Sequence, residues 1–277
     1  MELSSLTKKV SIGIIQMEAK LGDVEFNLQK AVKFIKQAAS QGSDIVCLPE
    51  LFSTGYHLAY LKEKTNELGL KYFQQSVEIL RQAAKENNVY VIAPIVEQRE
   101  LAGVAYNSAF VFDREGNIVG SFAKAHLWAL ERFYFKEGSE FPVFDTDFGK
   151  IGIAICYDAG FPEVSRSLCL QGANIIFVPS AWRIEDEDMW DLNLPQRALE
   201  NVLFTVGVNS VGDQHGLHLF GKSKVCNPRG QIIKELPKDK ESVEVVEIDL
   251  EDIRKYRTEI SYLRDRKPFM YHLLTEK

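Results

Sequence analysis

Gln41-Gly42-Ser43-Asp44-Ile45-Val46-Cys47-Leu48-Pro49-Glu50 runs in step with Gln171-Gly172-Ala173-Asn174-Ile175-Ile176-Phe177-Val178-Pro179-Ser180. In each copy a glycine stands where a helix ends, and a β-rich apolar run then stops at proline. Upstream, Ile12-Gly13-Ile14-Ile15 is matched by Ile151-Gly152-Ile153-Ala154, so each copy reads as strand, helix, strand. Leu28, Val32, Ile35 and Ala39 recur at helical spacing before Gly42. The second helix is expected after Phe161-Pro162-Glu163, with proline in its first turn, and ends at Gly172. A crossover helix makes its flanking strands parallel. The reading is an α/β chain built from two related βαβ halves.

Between the halves the pattern predicts a longer helix around Tyr72 to Glu86 and β-rich runs at Val89 to Val96, Tyr106 to Phe112 and Ile118 to Phe122. Asp113-Arg114-Glu115-Gly116-Asn117 supplies a hairpin turn between the last two. After the second half come a helix around Leu194 to Asn201, with Pro195 in its first turn, and strands at Val202 to Asn209, Lys222 to Cys226, Gln231 to Glu235 and Val243 to Ile248. Asn227-Pro228-Arg229-Gly230 is the hairpin between two of these. Many strands and few helices in two similar halves predict two sheets packed face to face with helices outside. With 277 residues, 45% of them hydrophobic, the chain can bury a full core as a single domain, 1–277. The charged, aromatic tail from Asp252 to Lys277 has no clear period and is read as a segment that docks on a partner subunit.

Composition removes several function classes. The net charge is −6 and no dense Lys/Arg stripe is present, which argues against a nucleic-acid partner. The apolar stretch Val10 to Ile15 is too short for a secretory signal, and no window approaches the roughly 20 apolar residues of a spanning helix. The chain is therefore read as cytoplasmic, with no membrane partner. Cys47, Cys156, Cys169 and Cys226 are widely spaced with no C-x-x-C pair, against both zinc and a disulfide framework. Cys47, Cys169 and Cys226 fall in strand-like or helix-like segments and read as small buried hydrophobes. No phosphate-cradling glycine loop is present, so nucleotide chemistry lacks support.

Cys156 is different. It closes the apolar run Ile151 to Ile155 and is followed at once by Tyr157-Asp158, where a buried strand runs out into a loop. A thiol reacts only if something removes or stabilises its proton. Two other strand-end segments offer partners, Leu48-Pro49-Glu50 a carboxylate and Lys124-Ala125-His126-Leu127 an ammonium. In open α/β sheets sites form beyond the carboxyl ends of strands, and the duplication suggests one common edge for Glu50 and Cys156.

Taken together, Leu48 to Tyr56, Lys124 to Leu127, and Gly152 to Asp158 followed by Phe161-Pro162-Glu163 resemble the nitrilase superfamily, the carbon–nitrogen hydrolases. The resemblance continues through Arg197-Ala198-Leu199-Glu200-Asn201 and Gly221-Lys222-Ser223. It implies a four-layer αββα sandwich, a catalytic set of Glu50, Lys124 and Cys156 with no metal or organic cofactor, and a homodimer or higher homo-oligomer. Glu131-Arg132-Phe133-Tyr134-Phe135 resembles the segment that in amide- and carbamoyl-cleaving relatives carries an extra active-site carboxylate, which points to Glu131, with Glu137 as the rival.

The implied reaction is hydrolysis of a carbon–nitrogen bond in a small linear amide or N-carbamoyl amine through a cysteine thioester. Glu50 takes the thiol proton, and Lys124 with the backbone N–H of Tyr157 holds the oxyanion. Pocket candidates are Tyr56, Tyr134, Tyr157, Phe161, Trp182 and Arg183. True nitrilases of this superfamily usually place Trp-Glu after the cysteine, so Tyr157-Asp158 favours the amidase and carbamoylase branches. The alternatives are a nitrilase, a non-catalytic scaffold of the same fold and, more weakly, a Cys–His hydrolase using His126. Glu185-Asp186-Glu187-Asp188 reads as a loop that borders the pocket mouth with four carboxylates and disfavours anionic substrates, unless Arg183 binds a substrate carboxylate.

Overall fold

The internal duplication reappears as strand order in the computed structural model, which describes residues 9–275. Residues 1–8, which head the stretch read above for a signal, and 276–277, the end of the tail, lie outside the described residues. The first half contributes β1 (Lys9–Gln16), α1 (Val24–Ser40), β2 (Ile45–Cys47), α2 (Leu58–Leu61), α3 (Lys64–Asn87), β3 (Tyr90–Gln98), β4 (Ala105–Phe112), β5 (Ile118–Ala123) and α4 (Glu131–Tyr134). The second contributes β6 (Val143–Thr146), β7 (Gly149–Ile153), α5 (Pro162–Leu170), β8 (Ile175–Ser180), α6 (Glu187–Asn201) and β9 (Phe204–Asn209). A hairpin of β10 (Val211–Gln214) and β11 (Leu217–Phe220) follows, then β12 (Lys224–Cys226), β13 (Ile232–Glu235), β14 (Ser242–Asp249) and α7 (Glu251–Glu259).

One sheet has the order β14-β1-β2-β3-β4-β5 and the other, taken in the same sense, β6-β7-β8-β9-β12-β13. β1, β2 and β3 are parallel neighbours, as are β7, β8 and β9. Asp44 and Asn174, equivalent in the two copies, do the same work. The Asp44 N–H donates to the Ser11 carbonyl and its carboxylate accepts the Ser11 N–H, while Asn174 makes the same pair of bonds to Lys150. The next strand is tied by Tyr90 N–H to the Asp44 carbonyl and by Phe204 N–H to that of Asn174.

Both faces of the central strands are covered, so they are continuous apolar runs. Side-chain alternation then sorts each run into two layers. Ile45 and Cys47 of β2 pack with Ile12 and Ile14 against Ile151, Ile153 and Phe177 of the other sheet. Val46 and Leu48 face the opposite way, onto Leu28 and Ile35 of α1 and Leu80 of α3. The result is the expected αββα sandwich. No described helix is long and apolar enough to cross a membrane.

Several boundaries differ from the sequence reading. α3 begins at Lys64 instead of near Tyr72, β6 and the β10–β11 hairpin were not anticipated, and the tail opens with the helix α7. α6 begins at Glu187, so Pro195 sits inside the helix and not in its first turn. The acidic run is not a loop. Ile184–Asp186 forms a 3-10 turn leading into α6, whose first turn contains Glu187 and Asp188, where carboxylates favour the helix N-terminus.

Where α6 crosses β9, Gly207 leaves the room. A Cβ there would stand 2.2 Å from Leu194 Cδ1 and 2.7 Å from Trp190 Cη2. Overpacking of this kind costs about 1–3 kcal/mol. Gly207→Ala is expected to lower the melting temperature by roughly 2–10 °C in a thermal scan. An unchanged melting temperature would show that α6 has slack against the sheet.

Candidate active site

Lys124 directly follows β5 and has no solvent exposure. An ammonium without water requires acceptors, and two carboxylates supply them: Nζ donates to Glu50 Oε1 at 2.7 Å and to Glu131 Oε1 at 2.7 Å. Burial opposes the charge on Lys124, but the fields of Glu131 and Glu50 outweigh it and hold the ammonium above its ordinary range. Glu131 is raised instead, by burial and by Glu50, against the pull of Lys124.

Each carboxylate is fixed by further donors. Glu50, beyond the end of β2, accepts Asn107 Nδ2 at 2.7 Å on Oε1 and the Ala181 N–H at 3.0 Å on Oε2. Glu131, opening α4, accepts the Tyr56 hydroxyl on Oε1 and the Trp128 N–H at 3.0 Å on Oε2. Its rival Glu137 is exposed to solvent. The phenol of Tyr56 is held well above its usual range by burial and by the two carboxylates.

Cys156 lies beyond β7 on the opposing sheet, at the head of a 3-10 turn, Cys156–Gly160, with φ of 50°. The left-handed conformation is uncommon for a residue with a side chain and turns the chain sharply out of the strand. Asp158 stabilises the turn. Its Oδ2 accepts the Ile155 N–H at 3.1 Å, and its Oδ1 accepts the N–H of His126 at 2.9 Å. His126 Nδ1 also bonds Oδ1 at 2.8 Å, so the loop that follows Lys124 is tied to the turn that carries Cys156. Arg197 Nε and Nη2 donate to the carbonyls of Ala159 and Gly160 at the turn's end. Burial, then Glu50, pushes the Cys156 thiol well above its ordinary range, against the pull of Lys124.

Cys156 opens on a cavity of about 130 Å³ whose lining includes Tyr56, Trp128, Tyr157, Trp182, Arg183 and Asn193. The backbone of Trp182 is clamped by Asn209, whose Oδ1 accepts its N–H at 2.7 Å and whose Nδ2 donates to its carbonyl at 3.2 Å. Arg183 stands over the Trp128 ring at 5.0 Å and donates from Nε to Asp186 at 2.6 Å. Of the four carboxylates of the acidic run only Asp186 lines the cavity. Glu187 is bound by Lys222 and Lys238, so the four-carboxylate rim is not formed: entry into α6 spreads these side chains around the helix.

Two pocket candidates lie elsewhere. Tyr134 is not in the lining; it borders a separate surface depression near Asn66, whose Nδ2 donates to its carbonyl. Phe161 stacks on His126 at 3.7 Å and meets Tyr157 edge-on, as support beneath the cavity wall. Asn107, Trp128, Asn193 and Leu217 were not singled out from sequence. For Asn107 a signal existed: an amide within an otherwise apolar strand, where a buried polar side chain needs a partner.

The carbon–nitrogen hydrolase family model matches residues 11–258, and the chain belongs to that family. It is 36% identical to a nitrilase of Pyrococcus abyssi, over 90% of this chain and 93% of the relative. It is 33% identical to the 2-oxoglutaramate amidase of Bacillus subtilis, over 95% of this chain and all of the relative. Among solved structures it matches a mutant of the amidase from Nesterenkonia sp. AN1 with a TM-score of 0.85 and 25% identity, over 95% of each chain. That amidase carries the acetamide moiety of fluoroacetamide covalently added at its active-site cysteine. The chain is therefore a carbon–nitrogen hydrolase by family.

All four cysteines are buried and free, and burial raises each thiol above its ordinary value of 9.0. Ultraviolet thiolate absorbance of the folded protein is therefore expected to stay flat as pH rises to about 9, while the denatured chain titrates all four. A step of one thiolate in the folded protein well below that pH would mean that Cys156 is already ionised at rest.

Proposed function

We propose that this member of the carbon–nitrogen hydrolase family cleaves the terminal carbon–nitrogen bond of a small linear amide or N-carbamoyl amine through a thioester on Cys156. The observation that carries the reading is the buried Lys124 ammonium between Glu50 and Glu131, in electrostatic reach of the Cys156 thiol at the floor of a largely apolar cavity. The covalent adduct at the cysteine of the Nesterenkonia amidase supports it.

The thiol is protonated at rest, so its proton leaves as the sulfur attacks. Glu50 accepts it, and the thiolate replaces that carboxylate's charge beside Lys124. Because proton and charge move within the group, its net charge is unchanged. Sulfur bonds to the carbonyl carbon while the carbonyl oxygen becomes anionic. Lys124 and the N–H of Tyr157, in the first turn of the 3-10 segment, stabilise that oxygen. Return of the proton from Glu50 to nitrogen breaks the carbon–nitrogen bond and releases ammonia. Water then gives Glu50 a proton and adds to the thioester; the acid leaves and the thiol is restored. Glu131 holds Lys124 charged throughout and does not exchange a proton in this scheme. No step requires a cofactor. The same reading assigns the exposed apolar tail side chains, Phe269 and Leu274 among them, to the face of a second subunit.

Ammonia release over a panel of primary amides, carbamoyl amines and nitriles tests the reaction. Turnover of amides or carbamoyl amines is expected; turnover of nitriles alone would replace this reading with that of a nitrilase. Cys156→Ala is expected to abolish release with the fold retained by circular dichroism. Glu50→Gln and Lys124→Ala are each expected to lose at least about a hundredfold to a thousandfold in kcat. The two losses are expected not to multiply in the double mutant, because the residues act as one unit. Glu131→Gln is expected to fall far below Glu137→Gln in rate, and equal near-wild-type rates would remove Glu131 from the machinery.

A further inference from the structure

A second cavity adjoins the one that holds Cys156. It measures about 170 Å³ against about 130 Å³, and Tyr56, Trp128 and Leu217 line both. Beyond that shared wall its lining is His57, Leu58, Ala59, Ala129 and Leu130. No Asp, Glu, Lys or Arg is among these residues, whereas the first cavity contains the Arg183–Asp186 pair.

The shared wall belongs to the machinery beside it. Trp128 donates its N–H to Glu131 Oε2, and Arg183 covers its ring. Ala129 follows with φ of 44°, a left-handed residue that turns the chain at the wall. Tyr56 donates to Glu131 from the other side. An apolar hollow that shares its wall with the charged group has one ready occupant, the part of the substrate that does not react.

We propose that the second cavity is a subsite for the substrate's tail, and that the substrate is an amide whose chain runs past Tyr56 and Trp128 and ends in an uncharged, apolar group. The proposal rests on the amide reading above and narrows it. Each methylene taken from water into such a site tightens binding by about fourfold. A terminal carboxylate or ammonium would enter a hollow with no Asp, Glu, Lys or Arg to pair with and would lose part of its hydration.

The test is calorimetric binding of straight-chain primary amides of increasing length to the Cys156→Ala protein, which binds without turnover. Affinity is expected to rise by about fourfold per methylene once the chain outgrows the first cavity. Analogues of the same length ending in carboxylate or ammonium are expected to bind more weakly than the methyl-terminated amide. Ala59 is exposed at the rim, so Ala59→Phe in the same background fills the second cavity at little cost to the fold and is expected to flatten the slope. A flat series before that change, a slope that survives it, or a preference for a charged terminus would overturn the proposal. Failure of the unaltered enzyme to release ammonia from any amide would sink the reaction reading instead, and the binding slope would still report on the subsite.

Discussion

A single ammonium with no access to water sets the terms for the rest of this site. Lys124 is fully buried, and a lone charge in that position would be neutralised or would unfold its surroundings. Two carboxylates hold it charged, while burial first and Glu50 second push the Cys156 thiol well above its ordinary range. Breaking a buried pair by removing one partner typically costs about 3–5 kcal/mol, so any variant in the trio tests stability and chemistry together.

That trio is assembled entirely from the first half of the chain, while the thiol comes from the second. Glu50 leaves β2 and Lys124 leaves β5 on one sheet, and Glu131 opens α4, which follows β5, whereas Cys156 leaves β7 on the other sheet. The inter-sheet core of Ile12, Ile14, Ile45, Ile151, Ile153 and Phe177 therefore does more than stabilise the fold. It fixes the distance between the Cys156 thiol and the charged trio. Two smaller ties set the register at the edge: Asp158 accepts from His126 across the two halves, and the Ala181 N–H beyond β8 donates to Glu50.

The second half also shapes what can enter. Arg183, placed by the link from β8 into α6, covers Trp128 and is itself held by Asp186, so the charged part of the cavity is internally paired. The remaining walls are mostly aromatic and aliphatic, with Asn193 among them, and the adjoining hollow is lined without any Asp, Glu, Lys or Arg. On the proposed subsite, discrimination between substrates would rest on length and terminal polarity, where apolar contact rewards each added carbon modestly and an unpaired charge is penalised heavily.

By itself the sequence determined the two-half architecture, because buried parallel strands must be unbroken apolar runs and crossover helices must carry an apolar stripe; both patterns repeat legibly around Asp44 and Asn174. It also singled out Glu50, Lys124 and Cys156, since each stands where such a run ends, whereas Glu131 came from the resemblance of its segment to the nitrilase superfamily. Pro195 reads locally as a first-turn residue of α6, whereas packing of Trp190 and Leu194 over Gly207 extends the helix back to Glu187. The acidic run reads locally as a loop, but its residues lead into α6, where Glu187 pairs with Lys222 and Lys238 and Asp186 with Arg183. Tyr134 and Phe161 carry the right chemistry but stand outside the cavity, while Trp128, Asn193 and Leu217 line it and Asn107 holds Glu50. Only the tertiary structure decided these, because which side chains share a hollow depends on how two sheets and their edge loops stack, and periodicity along one chain records which face is buried but not what it is buried against.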